Sequence, residues 1–454
     1  MAPTRANPSI ETRSSGPHTN VMIKQEEYAR RRAQLMLSSG EGSVIIVRAA
    51  PACIRNNDVH YPYRQDSDFL YLTGFREPNA ALVLIAEEEK AVLFCRPRDP
   101  EREMWDGPMA GLEGALDDYG MDEAFDIAEI GKKLPQILRD RDRIFYDLGG
   151  DAAFDQRLIG WMHDLRETKR RTFHVPEELH GLDHMLHDMR LYKSREELRV
   201  MRRSAKVAID AHERAMRTCR PGMNEAEIHA ELLHTFVSQQ CEPSYAPIVG
   251  GGPNACILHY IANDDELRDG DLLLIDAGAE YDGYASDITR TFPVNGKFSA
   301  QQRELYNLVL AAQLEAIDHV RAGNQWDGVH DAAVRVVAEG LVELGILKGD
   351  PEAIIEEEAY TRLYVHKTGH WLGLDVHDVG EYQIDGHSRV LEPGMVLTVE
   401  PGIYIAPDDE SVNKRWRGIG IRIEDDVAVT KKDPKVLSEG LVKTPDDIEA
   451  LMAG

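Results

Sequence analysis

A chain of 454 residues with 43% hydrophobic and 29% charged residues can bury two or three ordinary cores, which excludes a single small binding module and a disordered polymer. A formal net charge of -27 excludes nucleic acid as a partner, because affinity for a phosphate backbone rests largely on Lys and Arg. The five cysteines, Cys53, Cys95, Cys219, Cys241 and Cys256, are scattered and contain no C-x-x-C pair, so neither a disulfide framework nor a structural zinc site is expected, and the default compartment is a reducing cytoplasm.

In chain order, residues 1–21 are polar, lack the apolar run of a secretory signal and read as a disordered leader or an expression remnant. No later stretch approaches a membrane-spanning length. Over 22–190, GSVIIVRA, AALVLIAEE, KAVLFCR and RIFYDLG predict strands and DEAFDIAEIGKKLPQILRDR predicts a helix, which makes an N-terminal α/β domain. A long helix follows MRLYK, with Ser194 as its cap and Glu197 completing an S-x-x-E box, and it marks the passage to a second domain over 191–454. PGMN ends that helix, and Asn224 caps a second amphipathic helix expected to run through Cys241. Turn-rich strands come next, with no internal repeat, so the fold class is α/β of the α+β type.

Three of these later segments place acids inside apolar strands. DLLLIDAGAEYDGYASDITRTF reads as a hairpin with Asp276 on one arm and Asp287, Thr289 and Thr291 along one face of the other. In MVLTVEPGIYI, Glu400 ends an apolar strand that Pro401-Gly402 breaks, and in GIGIRIEDDVAV, Gly420, Arg422 and Glu424 share the face opposite Ile419, Ile421 and Ile423. A single carboxylate at a strand end is ordinarily solvated or caps a turn. Four flanked by long apolar neighbours need a cation, because a buried anion is costly unless paired or bound to metal, and Arg422 alone cannot neutralise them. HKTGHWLGLDVHDVG adds His366, His370 and His377; Gly369 and Gly373 disfavour a helical H-x-x-x-H zinc pair, so a strand or extended loop is expected.

With those residues in place, the sequence resembles the aminopeptidase P branch of the pita-bread metallopeptidases, family M24. The resemblance spans nearly all of 22–454 and is strongest in ILHYIAN, LLLIDAGAEYDGYASDITRTFPVNGKF, HWLGLDVHDVG, LEPGMVLTVEPGIYIAP and RGIGIRIEDDVAV. It implies an N-terminal domain followed by a pita-bread catalytic domain of two pseudo-symmetric halves. It further implies five metal ligands, Asp276, Asp287, His370, Glu400 and Glu424, holding two divalent ions, with Asp287 and Glu424 bridging. A mostly oxygen donor set with one imidazole suits manganese or cobalt, and iron or zinc less selectively; the resemblance points to manganese.

The implied reaction is hydrolysis of an Xaa-Pro bond, releasing the N-terminal residue of peptides with proline in second position. The resemblance gives Glu400 the proton of the attacking water, His377 the donor role toward the oxyanion and His259 a contact with substrate. It places His366 in an outer shell and gives Arg422 the task of orienting Glu424, the plainer alternative being a surface pair with Asp425 or Asp426. In this family the N-terminal domain walls the site, in some members from a neighbouring subunit; Asp68, Trp105 and Tyr382 are accordingly assigned to the substrate pocket, and a homodimer or homotetramer is implied.

Two alternatives use the same fold. A prolidase would carry the same metals and cleave only Xaa-Pro dipeptides, and a metal-free pita-bread protein would bind peptides or proteins without catalysis. Creatinase-like chemistry does without the metal set present here, and methionine aminopeptidase has no need of the large N-terminal domain.

Overall fold

Alternation along the strand Ser43–Arg48 divides the first half of the protein into two cores. In the computed structural model, which describes residues 22–454, Val44 and Ile46 face one side with Val83, Phe94 and the helical residues Leu134 and Leu158. Ile45 and Val47 face the other, with Leu82, Leu93, and Leu35 of the helix Gln25–Ser39. The leader expected over 1–21 lies outside the described residues.

The strands form a mixed six-stranded sheet in the order Glu123–Asp126, Lys90–Cys95, Ala81–Ile85, Ser43–Arg48, Arg143–Tyr146, Glu178–His180. The helix expected from Asp122 to Arg141 is therefore a correction. Its first part, Glu123–Asp126, pairs in parallel with Val92–Cys95 as an edge strand; a 3-10 turn follows over Ile127–Glu129, and the α-helix begins only at Ile130. Sheet pairing outweighed local helix propensity, as it does when an apolar strand edge lies alongside.

The second core surface of that sheet does not end with the N-terminal half. Val200, Met201 and Ala205 from the helix Arg195–Thr218, together with Tyr284, Leu372 and Leu374, complete it. The two halves thus share one continuous apolar layer. Ser194 and Glu197 form the expected capping box, and Asn224 with Glu227 forms another; the second helix is Glu225–Ser238, ending three residues before Cys241.

Two helix pairs cover the C-terminal half, Arg195–Thr218 with Glu225–Ser238 and Ala300–His319 with Trp326–Glu343. Each pair is followed by short antiparallel strands: Ile248–Gly251, Leu272–Asp276 and Thr289–Pro293 after the first, Val396–Val399 and Asp425–Ala428 after the second. The same order of elements thus occurs twice. The halves are sewn together by threonine. Thr291 donates from Oγ1 to the Arg422 carbonyl at 3.0 Å and accepts from the Arg422 N–H at 3.2 Å, and the Glu424 N–H reaches the Thr289 carbonyl at 3.1 Å.

Candidate metal centre and substrate pocket

Asp276 closes the strand Leu272–Asp276 and pairs across the ladder with Thr289. Asp287 is therefore not on the returning strand itself. A second small hairpin, Ala279–Tyr281 with Tyr284–Ala285, is inserted between the arms, and Asp287 lies between that hairpin and the strand Thr289–Pro293. The histidine segment is extended, as the glycines require. His370 N–H donates to Thr398 Oγ1 at 3.1 Å, Thr398 N–H to the His370 carbonyl at 3.0 Å, and Glu400 N–H to the Thr368 carbonyl at 2.8 Å. One ladder thus carries both His370 and Glu400 to the end of Val396–Val399, where Pro401 releases the chain. Glu424 lies in the break between Ile419–Arg422 and Asp425–Ala428.

These four segments converge. One ligand atom from each of Asp287, His370 and Glu424 lies within 4.8 Å of the others. His370 Nε2 stands 3.3 Å from Asp287 Oδ2 and 3.6 Å from Glu400 Oε1. Together with Asp276, Arg422, His366, His377, His259 and Tyr382, they line one cavity of about 410 Å³.

The charges in that cavity do not balance. Burial pushes Glu424 well above the usual carboxylate range, and repulsion from Asp287 and Glu400 adds to it. Burial likewise raises Asp276 and pushes Glu400 up to about 7. Burial opposes the charge on His370, yet the contact with Asp287 pushes the imidazole up to about 9; the same contact overcomes burial at Asp287 and holds that carboxyl below its ordinary value. Four carboxylates in one cavity, two of them fully buried, with one guanidinium and one imidazole hold more negative charge than the protein supplies in positive charge. Oxygen-rich donors with one imidazole in such a deficit fit divalent cations.

Arg422 is buried and does not pair with Asp425 or Asp426. Its Nη2 meets Asp276 Oδ2 at 2.6 Å, its Nη1 the Tyr404 hydroxyl at 2.9 Å and its Nε Thr289 Oγ1 at 3.0 Å. Thr289 in turn donates to Glu424 Oε2 at 2.6 Å. The expected orientation of Glu424 by Arg422 is therefore indirect, through Thr289, and the direct partner is Asp276. Asp425 is committed elsewhere, to Arg290 and Lys443. His366 shares its Nε2 with the Tyr404 hydroxyl at 2.8 Å and its Nδ1 with the Lys367 carbonyl at 2.8 Å; burial pushes it down to about 4, which keeps it neutral.

Two residues assigned to the pocket lie away from the cavity of this chain. The carboxylate of Asp68 does not line this cavity; it is spent on Arg190 Nη1 at 2.7 Å and His187 Nε2 at 3.4 Å, at the junction of the two halves. Trp105 sits on the short helix Pro100–Asp106, is 86% exposed and does not reach the cavity of its own chain. Tyr382 does line it, with its ring stacked on Trp371 and its hydroxyl accepting from the Trp371 N–H at 3.2 Å.

Tyr245 was missed. Its hydroxyl lies within hydrogen-bond reach of both Asp276 and Asp287, linking the two aspartates that flank the inserted hairpin. Nothing in the local pattern of EPSYAPIVG separates it from a core tyrosine, because the contact spans more than thirty residues of chain.

The chain matches the model of metallopeptidase family M24 over residues 199–431 and that of the aminopeptidase P N-terminal domain over residues 28–146. A curated relative from Escherichia coli, a Xaa-Pro aminopeptidase, is 47% identical over 95% of this chain and 98% of its own. The aminopeptidase PepP structure from Pseudomonas aeruginosa superposes with a TM-score of 0.94 at 54% identity, covering 95% of this chain and 99% of that one. A zinc-substituted Escherichia coli aminopeptidase P in complex with product superposes with a TM-score of 0.92 at 47% identity, over 95% and 99% of the two chains. The fold, the converging carboxylates and these matches agree: the chain belongs to metallopeptidase family M24, with the aminopeptidase P N-terminal domain ahead of its pita-bread domain.

Proposed function

We propose that the protein is an Xaa-Pro aminopeptidase, a metallo-exopeptidase that releases the N-terminal residue from peptides whose second residue is proline. The observation that carries this reading is the cluster of Asp287, His370 and Glu424 in a cavity short of positive charge. Relatives bearing that activity in their names match nearly the whole chain, N-terminal domain included. The division between residues 190 and 191 is supported by the two family matches, of which one ends at 146 and the other begins at 199.

Asp276, Asp287, His370, Glu400 and Glu424 would hold two divalent ions, manganese by preference, which when bound supply Lewis-acid activation of water and of the scissile carbonyl. The remaining work belongs to the chain. Glu400, on the cavity wall beside His370, is placed to take a proton from water and return it to the leaving proline nitrogen. His377, with its ring 4.3 Å from that of His370, lies on the cavity wall where it can donate to the oxyanion. His259, on the same wall, contacts the substrate. Arg422, Thr289 and Tyr245 hold the carboxylates in place through their hydrogen bonds.

The five cysteines are all unpaired, which suits a reducing compartment and supports a cytoplasmic protein; no helix of the described residues is long and apolar enough to cross a membrane. Met104 and Trp105, consecutive on the short helix Pro100–Asp106, are 84% and 86% exposed and support a homodimer or homotetramer in which this tip is covered.

The test is release of the free N-terminal residue from Arg-Pro-Pro and from Arg-Pro after chelation, and again after manganese is restored. Metal-dependent cleavage of the tripeptide is expected. Cleavage of the dipeptide alone would make the protein a prolidase, and silence on both would make it a binding protein.

A further inference from the structure

The imidazole of His377 makes no hydrogen bond among the described residues; it lines the open cavity with its ring against that of His370. An unanchored ring can act with fixed geometry only if the backbone carrying it is held from behind. The next residue does this. Asp378 points the opposite way and is buried, with Oδ1 2.6 Å from Arg190 Nη2 and Oδ2 2.8 Å from Lys193 Nζ. Its N–H donates to the Trp371 carbonyl at 2.8 Å, tying the loop back to the residue after His370. There is no slack on that side. A Cβ at Gly373 would lie 2.1 Å from Asp378 Oδ2, so glycine is the residue that lets the carboxylate enter.

Arg190 extends the same set of contacts beyond the loop. Besides Asp378 it holds Asp375 Oδ2 at 2.7 Å, and through Nη1 it holds Asp68, in the first turn of the helix Ser67–Thr73 of the N-terminal half, at 2.7 Å. One buried guanidinium therefore joins the N-terminal half to both ends of the tetrapeptide Asp375–Asp378 that displays His377. Removing one partner of such a buried set leaves an uncompensated charge, which moves the loop rather than being screened.

We propose that Asp378 and Arg190 are positioning residues for His377, and that Asp68 acts on the reaction through them, so that the seating of the N-terminal half sets the geometry of the oxyanion donor. The inference rests on the reading of His377 as that donor. A displacement of about 1 Å in a catalytic group can cost on the order of a hundredfold in rate.

The test is a double-mutant cycle on the manganese-loaded enzyme with a Xaa-Pro-Xaa tripeptide, using Asp378→Asn, His377→Ala and both together. Asp378→Asn is expected to lower kcat by roughly ten- to a hundredfold with KM and metal content near wild type, and to add nothing once His377 is already alanine. Independent, multiplying losses in the double variant would overturn positioning, because the aspartate would then act elsewhere. Wild-type activity in His377→Ala alone would instead refute the donor reading. Asp68→Asn, which is less buried and leaves the loop's own pairs intact, covers the case in which Asp378→Asn does not fold. It is expected to lower kcat several-fold in the wild-type background and not in His377→Ala; equal losses in both backgrounds would overturn the link to the N-terminal half.

Discussion

Arg422 and Asp276 meet at 2.6 Å inside the cavity, the guanidinium buried and the carboxylate partly so. The guanidinium fork lets one side chain hold Asp276, Thr289 and Tyr404 together, which a lysine ammonium cannot span. Arg422→Lys is expected to keep the fold and to weaken manganese binding, or the activity that depends on it, by roughly ten- to a hundredfold. Calorimetric titration of manganese into the chelated variant checks this; wild-type affinity would show that Asp276 needs no such support.

Tyr245→Phe removes one hydroxyl from two carboxylates while conserving the ring. Hydrogen bonds to charged groups contribute about 1.5–3 kcal/mol, so the metal-stripped variant is expected to lose stability in that range. Urea unfolding of the stripped proteins measures it. An unchanged midpoint would mean that the two aspartates find equivalent donors when the hydroxyl is gone.

The charge deficit predicts a pH dependence specific to the metal-free protein. Glu400 is raised from 4.5 to about 7, so the folded chain holds a proton that the unfolded chain has released, and stability falls as pH rises through that interval. His370, raised from 6.5 to about 9, contributes stability that is complete below 6.5 and is lost as pH rises through about 9. Asp287, held low, contributes in the opposite sense but only at acid pH, outside this window. His366, lowered to about 4, contributes in the opposite sense up to its unfolded value of 6.5. The melting temperature of chelated protein should therefore fall from about pH 7 to pH 9, and manganese should flatten the slope. A flat or rising curve after chelation would contradict the deficit.

Gly369 lies where the histidine segment runs against Val396–Val399, and a Cβ there would sit 2.0 Å from the Thr398 carbonyl oxygen. Backbone cannot yield as a flexible side chain would. Gly369→Ala is expected to destabilise by about 1–3 kcal/mol and to displace His370, lowering metal content as well. Thermal melting together with elemental analysis of the purified variant checks both parts.

Much of the site could be read from local pattern. Asp276, Glu400 and Glu424 each sit at or just beyond the end of an apolar strand, where a charge is conspicuous, and the glycines around His370 ruled out a helix. The helix expected over Asp122–Arg141 failed because Glu123–Asp126 had a strand edge waiting beside it, and no window of sequence contains that neighbour. The contacts of Asp68 were hidden for a related reason. An exposed-looking acid before an apolar run gives no sign that an arginine 122 positions later will claim it.

The sequence by itself determined which residue types were available for chemistry and the local conformation that carries them: carboxylates at strand ends, an extended histidine segment, capped helices at Ser194 and Asn224. Those follow from forces that act over a few residues, namely side-chain alternation, capping and the restrictions of glycine and proline. Only the packing of distant segments settled which of these groups share a cavity, that Arg422 pairs directly with Asp276 and reaches Glu424 through Thr289, that Tyr245 links two aspartates, and that Asp68 belongs to the junction. Each of those depends on contacts between segments far apart in the chain, and such contacts are fixed only when the apolar layers pack and leave each buried charge to find its partner.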